Sequence, residues 1–345
     1  MSENVNHKLV VCGDIHLQSK SPKYDNAIDT LSWIFNSDFN NPKNSLLLLG
    51  DLVEINSPYE LYEVYIDYFE NKSKFEQIFI LEGNHECANQ STVLSLFRPL
   101  KNVEVITEWK AWKYYNCNLL FLPFYNHEGT DKKPMVETYS NLYSIEYDDI
   151  FSGEHRIMSD TEFDYGFGHI EDDTEHFSKK FCDTSKLKVK TWMNGHIHTA
   201  NIQNGGHYLG ACTLNSSTES GRTPYIAKIN GETKEYELVE VPKFLEYYEV
   251  EYPNKLPKID TKYGLFLVRN SLDKKVTEEE YSKQAEELGF KFYARKILSK
   301  KSKVLEVGEV EKIENLTFDD FADSVELDDS IRDICKEVIK LKGEE

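Results

Sequence analysis

The feature that most constrains this chain is a recurring junction, in which a short apolar segment ends at a glycine and polar side chains able to bind a metal follow it. Apolar segments of this length predict buried strands. The junctions are Gly13-Asp14-Ile15-His16, Gly50-Asp51, Gly83-Asn84-His85-Glu86, Gly168-His169 and Gly195-His196-Ile197-His198. Carboxyl ends of parallel strands share one edge of an α/β sheet, where sites are built. We therefore expect these polar side chains to face one another.

The order of the predicted elements supports a parallel sheet with such an edge. Strands at 8–12, 45–49 and 78–81 alternate with helical patterns at 25–37 and 59–70, as in a parallel α/β unit. Later segments predict strands at 103–107, 119–124 and 188–193, a strand pair at 205–213 and a hairpin at 225–241 around Asn230-Gly231. We expect an α/β sandwich of two packed sheets flanked by helices, in one domain over residues 1–243.

The sequence changes character after Pro242. The patterns that follow are strands at 247–252, 264–268 and 290–297 around a helix at 277–288. We assign residues 244–310 to a small α/β domain. Residues 311–345 carry apolar positions at helical spacing, and we assign them to a helical tail. Such a tail packs on its own domain or docks on a partner, and the pattern alone favours neither.

Charge is distributed unevenly along the chain. The formal net charge is -20, which would repel nucleic acid if it were uniform. Residues 255–303 instead contain 13 Lys or Arg against 7 Asp or Glu, whereas residues 304–345 contain 5 against 14. The basic segment is a candidate anion-binding face. Charge alone is equally compatible with an ordinary solvated surface.

Composition excludes several other classes of protein. With 345 residues and 40% hydrophobic side chains, the chain can bury a core and does not resemble a disordered protein. Apolar runs of membrane-spanning length and an N-terminal export pattern are both missing from the sequence. The six cysteines are scattered without a Cys-x-x-Cys pair, which favours reduced thiols over a disulfide framework or a zinc ribbon. We expect a soluble cytoplasmic protein without membrane contact.

The polar residues at the junctions have the chemistry of metal ligands. Alone, each is more often a capping or core side chain, and the set gains its weight from recurring at strand ends. The candidate ligands are Asp14, His16, Asp51, Asn84, His169, His196 and His198. Mixed imidazole and carboxylate donors suit Mn, Fe or Zn better than Ca or Mg. So many ligands fit two ions about 4 Å apart with a shared carboxylate, which predicts metal-assisted phosphoester hydrolysis.

Taken in order, the junctions resemble the motif set of the calcineurin-like metallophosphoesterases. The resemblance covers residues 13–198 and implies a two-sheet α/β sandwich with two metals at one edge. It implies that Asp14, His16 and His198 hold one ion, that Asn84, His169 and His196 hold the other, and that Asp51 bridges them. It also implies that His85 is the acid that steadies the phosphate and protonates the leaving oxygen.

Within that family, the chain most resembles the nuclease subunit of the double-strand-break repair and recombination complex, in its bacterial (SbcD-like) or bacteriophage form. The resemblance rests on Tyr208-Leu209-Gly210 and a hydroxyl-rich turn after the last histidine motif, and on the small domain and tail that follow. It implies a Mn-dependent 3′–5′ exonuclease of duplex DNA and endonuclease of single strands. It further implies that residues 244–310 cap DNA and that residues 311–345 bind the coiled coil of an ABC/SMC-type ATPase. A homodimer is expected, in the host cytoplasm if the protein is phage-encoded.

Two residues depart from the pattern of that branch. Glu54 lies where the branch often has His or Asp, and we predict that it orients His85. Glu86 lies where the branch often has Asp and is commoner in Ser/Thr phosphatases, so a phosphoprotein or small-molecule phosphatase is the alternative. Against it, the residues after Asp51 lack the Asp-Arg-Gly continuation that those phosphatases use. An inactive scaffold of the same fold is a third alternative, which the complete ligand set disfavours.

Overall fold

The computed structural model describes residues 7–54, 58–88, 91–124, 146–149, 153–156, 162–170, 187–252, 254–270 and 278–299. The strands are β1 (Lys8–Cys12), β2 (Asn44–Leu48), β3 (Ile78–Leu81), β4 (Cys87–Ala88), β5 (Ser91–Thr92), β6 (Val103–Ile106), β7 (Lys110–Tyr114), β8 (Cys117–Leu122), β9 (Glu146–Asp149), β10 (Gly153–Arg156), β11 (Phe163–Gly168), β12 (Val189–Asn194), β13 (Tyr225–Asn230), β14 (Tyr236–Glu240), β15 (Leu245–Tyr252), β16 (Tyr263–Asn270) and β17 (Phe292–Ser299). The α-helices are α1 (Lys23–Asn36), α2 (Pro58–Val64) and α3 (Glu278–Glu287).

The first sheet has the strand order β14-β13-β1-β2-β3-β6 in the part of the chain that the structure describes. Strands β1, β2, β3 and β6 run parallel, and β13 and β14 extend the sheet antiparallel at the β1 side. The parallel strands β1, β2 and β3 read as nearly continuous apolar runs because both of their faces are buried.

The second sheet has the order β10-β9-β7-β8-β11-β12, again among the described residues. Strands β8, β11 and β12 run parallel, and β7 joins β8 through an antiparallel hairpin. The ends of β11 and β12 therefore lie at a common edge. The strands that precede His169 and His196 belong to this second sheet, as the sequence predicted for the second half of the chain. The hairpin at 225–241 was wrongly expected there, because β13 pairs with β1 and extends the first sheet.

The two sheets pack face to face across a shared apolar core. Alternate residues of the first sheet, such as Leu9, Leu47 and Phe79, meet Phe121 and Phe167 of the second. The ring centroids of Phe79 and Phe121 are 5.6 Å apart, in a stacked arrangement. Burial of each such side chain contributes about 2 kcal/mol. The two-sheet packing predicted from the sequence is confirmed.

The outer face of the first sheet is covered by helical segments. Helix α1 packs Leu31, Ile34 and Phe35 against Val10 and Leu46, which are on the opposite face from the core between the sheets because side chains alternate along a strand. The segment predicted as one helix at 59–70 is α2 followed by a π-helical stretch at Tyr65–Glu70. No helix among the described residues is long and apolar enough to cross a membrane.

A third sheet follows the sandwich. Strands β15, β16 and β17 are parallel neighbours, and α3 lies between β16 and β17 in sequence, as a parallel crossover requires. Phe266 and Val268 of β16 pack with Tyr281 and Ala285 of α3. This small α/β unit occupies the region predicted for the small domain. The tail at 311–345 and residues 301–310 lie outside the described residues, and the domain boundaries stay predictions.

The small α/β unit contacts the sandwich through polar side chains. Tyr263 donates a hydrogen bond to Asp29 of α1 at 2.8 Å, and Lys262 pairs with the same carboxylate at 2.6 Å.

The predicted strand pair at 205–213 was wrong. This segment is an irregular loop with one isolated β-bridge, between Tyr208 and Asn194, because Gly205 and Gly210 adopt left-handed backbone that breaks a regular strand.

Candidate metal centre

The sequence-predicted ligands converge at one edge of the sandwich. Each follows the carboxyl end of a strand, where the two sheets bring their parallel strands side by side. Asp14 and His16 follow β1, Asp51 follows β2, Asn84 and His85 follow β3, His169 follows β11, and His196 and His198 follow β12. The structure brings all seven predicted ligands together, with His85 and Glu54 beside them.

One group of donors consists of Asp14, His16 and His198. One ligand atom from each lies within 4.8 Å of the others. The Nε2 atoms of His16 and His198 are 2.9 Å apart, and Nε2 of His198 is 3.7 Å from Oδ2 of Asp14. Asp14 is fully buried and His16 nearly so. This geometry leaves a small, polar space that the three side chains enclose.

A second group consists of Asp51, His169 and His196, with Asn84 between the two imidazoles. Oδ1 of Asn84 is 3.0 Å from Nε2 of His169 and 3.0 Å from Nδ1 of His196. Oδ2 of Asp51 is 3.3 Å from Nε2 of His169 and 3.6 Å from Nε2 of His16. Asp51 therefore lies between the two groups.

The hydrogen bonds around the imidazoles point their lone pairs into the centre. Nδ1 of His16 contacts Oε1 of Glu54 at 3.0 Å, and Nδ1 of His169 contacts the Leu49 carbonyl at 2.8 Å. These oxygens can only accept, so each Nδ1 carries a proton and each Nε2 is the atom that faces the carboxylates, where its lone pair can bind a cation. Lone pairs and carboxylate oxygens that face one another at such distances repel unless a cation lies between them. The donor set thus fits divalent cations of the Mn, Fe or Zn type.

Backbone strain is concentrated at the same residues. His16, Asp51 and His196 have φ angles of 50°, 47° and 71°, in the left-handed region that costs a non-glycine residue about 1 kcal/mol or more. The surrounding hydrogen bonds maintain this conformation: the His16 N–H donates to the Asp51 carbonyl at 2.8 Å, and the His196 N–H donates to Oδ2 of Asp14 at 3.0 Å. The fold holds these ligands in strained positions, as is common at functional sites.

Two glycines of the junctions are needed for close approach. A Cβ on Gly83 would overlap the Asp51 side chain, and a Cβ on Gly195 would overlap the Asp14 carboxylate. Any side chain at either position would displace a candidate ligand. This explains physically why the apolar segments end in glycine immediately before the polar residues.

Glu86 fixes the loops that carry the ligands, a role that sequence reasoning did not assign. It is fully buried. Its Oε2 accepts from the N–H groups of Asp51 at 2.9 Å and Gly83 at 2.8 Å, and its Oε1 accepts from Val53 at 3.0 Å. Burial and the neighbouring Asp51 raise the pKa of Glu86 to about 8, against the backbone donors that favour its ionised form. Glu86 thereby joins the loop after β2 to the loop after β3.

His85 and Glu54 form a pair at the open side of the centre, each about 30% exposed. Nδ1 of His85 lies 2.8 Å from Oε2 of Glu54, while its Nε2 lies 3.9 Å from Oδ2 of Asp51. The close contact with the Glu54 carboxylate, opposed by burial and assisted by the charge of Asp51, raises the pKa of His85. Contacts with His16 and His85 lower the pKa of Glu54. Glu54 therefore contacts a candidate ligand and the candidate acid at once.

Glu219 is a further residue at the centre that the sequence did not reveal. Its Oε1 lies 2.8 Å from Nδ1 of His198. Burial alone would raise the pKa of Glu219, but the hydrogen bond with His198 and the nearby charges of His198 and Arg222 lower it to about 2. The only signal in the sequence was an acidic residue within the hydroxyl-rich turn at 215–220, and its spacing from the ligands is not informative.

Comparison with known protein families agrees with this geometry. The model of the calcineurin-like phosphoesterase family matches residues 7–200, a range that contains both donor groups, His85 and Glu54. The chain belongs to the calcineurin-like phosphoesterase family. Its members are metal-dependent hydrolases of phosphoesters, and the His and Asp groups of this centre fit that chemistry. No curated protein matches the chain.

Proposed function

We propose that this calcineurin-like phosphoesterase is a Mn-dependent DNA nuclease, a 3′–5′ exonuclease on duplex ends and an endonuclease on single strands. The observation that carries the proposal is the position of Asp51 between two groups of candidate ligands, 3.6 Å from Nε2 of His16 and 3.3 Å from Nε2 of His169, with His85 beside it. Asp14, His16 and His198 would hold one cation, Asn84, His169 and His196 would hold the other, and Asp51 would bridge them.

The proposed chemistry divides between the cations and this chain's own residues. Two divalent cations, when bound, supply Lewis-acid chemistry to phosphoester hydrolysis. Glu54 accepts a proton from Nδ1 of His85, so His85 acts as an acid in its doubly protonated form, with its second proton on Nε2. His85 contacts the phosphate and gives this second proton to the leaving oxygen as the phosphorus–oxygen bond breaks. The raised pKa of His85 favours this protonated form.

The small α/β unit supports DNA as the substrate. Lys255, Lys258, Lys283 and Lys291 are exposed on it, and cations on such a surface attract phosphate backbones. Arg269 is also exposed, but it pairs with Glu249 at 3.1 Å. The basic balance predicted for residues 255–303 is thus partly neutralised within the fold, and the exposed lysines are the groups available to contact DNA.

The alternative function is hydrolysis of a phosphoprotein or a small phosphate ester. Glu86 favoured this alternative in the sequence, because Ser/Thr phosphatases commonly have Glu there. In the structure Glu86 accepts only backbone N–H groups of its own loops and is fully buried. Because it is removed from any substrate, it does not distinguish a phosphatase from a nuclease.

The test is a digestion of end-labelled duplex DNA over a range of Mn²⁺ concentrations, alongside an aryl phosphate and a phosphopeptide. A nuclease shortens the duplex from its 3′ ends in Mn²⁺ and stops when EDTA is added. Faster turnover of the aryl phosphate or phosphopeptide, with intact DNA, would favour the phosphatase. No turnover of any of the three would favour the inactive scaffold.

The proposed partner is an ABC/SMC-type ATPase with a coiled coil, in DNA repair or recombination, with the nuclease as a homodimer in the cytoplasm. The acidic segment at 304–345 supports a docking role by its charge contrast with the preceding residues. Deletion of residues 315–345 should abolish association with the ATPase and spare single-strand cleavage. Association that survives the deletion would move the interface to another part of the chain.

A further inference from the structure

The turn at 216–222 lies between the metal centre and the small α/β unit, outside every sequence motif of the site. Glu219 in this turn is 6% exposed. Its Oε1 accepts from Nδ1 of His198 at 2.8 Å. Because the carboxylate accepts only, it fixes the proton of His198 on Nδ1 and directs Nε2 towards Asp14 and His16.

Glu219 is itself held on both carboxylate oxygens. Ser216 donates its hydroxyl to Oε1 at 3.0 Å, and the Asn215 N–H donates to Oε2 at 3.1 Å. Arg222 donates Nη2 to Oε2 at 3.0 Å. A carboxylate with this many fixed donors cannot rotate freely. It therefore offers His198 an acceptor of constant position.

Arg222 fixes the backbone of the same ligand. Its Nη1 donates to the His198 carbonyl at 2.6 Å and to the Ala211 carbonyl at 2.7 Å, and its Nη2 also donates to the Thr213 carbonyl. Burial lowers the pKa of Arg222, and the Glu219 charge opposes that shift. Side chain and backbone of His198 are thus held by two adjacent residues of one turn.

The other side of the turn is attached to the first strand of the small α/β unit. Glu246 of β15 accepts from the Ser220 hydroxyl at 2.8 Å and from the Gly221 N–H at 3.2 Å. Lys243 pairs with the same carboxylate at 2.6 Å. Glu246 is only 8% exposed, so these contacts are shielded from water. β15 is thus connected to His198 through hydrogen bonds at both sides of the turn and through the backbone of residues 219–221 between them.

We propose that Glu219 is a positioning residue for His198, and that Glu246 fixes the Glu219 turn, so that the small α/β unit contributes to the metal centre. This inference rests on the proposed assignment of His198 as a metal ligand. A positioning carboxylate behind a ligating histidine fixes the ring and raises its basicity, and its loss typically costs 10- to 100-fold in metal affinity.

The experiment measures the affinity of each Mn²⁺ site by calorimetry on the full chain and its variants. We expect Glu219→Ala to weaken one of the two sites by roughly 10- to 100-fold and to leave the other unchanged. Glu219→Gln keeps the shape and one acceptor, and should give a smaller loss in the same site. Ser220→Ala, which removes one hydrogen bond to Glu246, should weaken that site less than Glu219→Ala. Glu240→Gln, an exposed residue of β14, is the matched control.

A second readout does not depend on metal. Long-range ¹H–¹⁵N spectra of the metal-free protein, recorded at a pH at which the His198 imidazole is neutral, report which of its nitrogens carries the proton, assigned with His198→Gln. The wild type should show the proton on Nδ1, and Glu219→Ala should show a mixture of the two tautomers. A merely structural role of Glu219 would leave this signature unchanged.

The outcomes separate this inference from the proposed function. If wild type binds two ions and both Glu219 variants bind them equally well, the positioning role is wrong and the metal centre stands. Equal weakening of both sites would also overturn it, because it indicates general loosening of the fold. A wild type that binds no Mn²⁺ would refute the metal assignment and this inference together.

Discussion

Two buried carboxylates, Asp164 and Asp51, lie near opposite ends of β11 and differ in how they are satisfied. At the start of the strand, Asp164 accepts from the Asn118 N–H and from Lys190 and Lys234, each at 2.9 Å. Beyond its end, Oδ1 of Asp51 accepts from the His85 N–H at 3.0 Å, whereas Oδ2 faces the imidazoles of His169 at 3.3 Å and His16 at 3.6 Å. The protein supplies Asp164 with every donor it needs. The Asp51 carboxylate instead keeps an oxygen that can bind a cation from solution.

Backbone conformation and the partners of the carboxylate together distinguish a stabilising cluster from a functional one. Asp164 itself lies in regular β-strand, although its partner Lys234 has a φ of 62°, whereas Asp51 and two further candidate ligands, His16 and His196, have left-handed φ angles. Buried charges without matched partners lower stability, and strained backbone persists only where other interactions enforce it. We therefore expect substitutions at the metal centre to change activity with little loss of stability, and substitutions at Asp164 to do the reverse.

The largest expected effect is at His85. Replacement by alanine removes the proposed proton donor, and hydrolysis should fall roughly 10²- to 10⁴-fold. The number of Mn²⁺ ions bound and the melting temperature should stay near wild type, because His85 is partly exposed and is not among the proposed ligands. Rates under single-turnover conditions with excess enzyme make this measurement. Full activity in His85→Ala would show that the acid was assigned wrongly.

The next largest loss of activity is expected at Glu54, which contacts both a candidate metal ligand and the proposed proton donor. Its carboxylate contacts both His16 at 3.0 Å and His85 at 2.8 Å, so Glu54→Ala should lower activity and Mn²⁺ affinity together, by roughly 10- to 100-fold. A titration of activity with Mn²⁺ separates the loss of activity at saturating metal from the loss of Mn²⁺ affinity. Glu70→Ala, an exposed residue at the end of the π-helical stretch, is the control. Loss of activity without any loss of metal affinity would limit Glu54 to orienting His85.

Glu86 tests whether a carboxyl group that has protein hydrogen-bond donors stabilises the fold even when it lies at the metal centre. It lies among the candidate ligands, and three backbone N–H groups donate to its carboxyl oxygens, although burial and Asp51 raise its pKa to about 8. Glu86→Gln turns an NH₂ group towards at least one of these donors, which should destabilise the protein by about 1–3 kcal/mol. Urea unfolding of the metal-free protein measures this. Unchanged stability would mean that the three hydrogen bonds do not hold the loops as described.

The smallest effect is expected at Asp164, and it depends on pH. Burial would raise its pKa, but the Asn118 N–H, Lys190 and Lys234 lower it to about 2. A lowered folded-state pKa contributes stability that is present above the unfolded value of about 4 and is lost as the pH falls towards 2. Asp164→Asn should therefore cost about 1–2 kcal/mol at pH 7.

As a control, the activity of Asp164→Asn is measured at pH 7. It should equal that of wild type, because the residue is at the far end of β11 from the candidate ligands. The difference in urea midpoint between Asp164→Asn and wild type should narrow below about pH 4. A difference that persists unchanged into acid would mean that lost packing, and not charge, causes the destabilisation.

Much of the metal centre could be predicted because its information is local. Asp14, Asp51 and Asn84 each follow an apolar segment directly, and the parallel sheet does the rest by aligning strand ends. Gly83 and Gly195 could be recognised in the sequence because they stand between an apolar segment and the polar residues that follow it. The alternation of buried residues likewise predicted two packed sheets.

The residues that sequence reasoning missed act through long-range contacts. Glu219 reaches His198 across 21 residues of irregular chain, and nothing periodic leads to it. Glu86 was visible in its motif, but its three backbone partners depend on how two separate loops fold together. The strand pair predicted at 205–213 failed for a related reason, since Gly210 takes a left-handed conformation that alternation alone does not reveal. Such features follow from tertiary structure and not from local pattern.

The central claim is that two divalent cations bind on either side of Asp51, and anomalous diffraction from crystals grown with Mn²⁺ tests it most directly. We predict two anomalous peaks about 4 Å apart, one among Asp14, His16 and His198 and one among Asn84, His169 and His196. In Asp51→Asn crystals at least one of the two peaks should weaken or vanish. Wild-type crystals without a peak at this edge, or with a single ion bound away from Asp51, would contradict the claim.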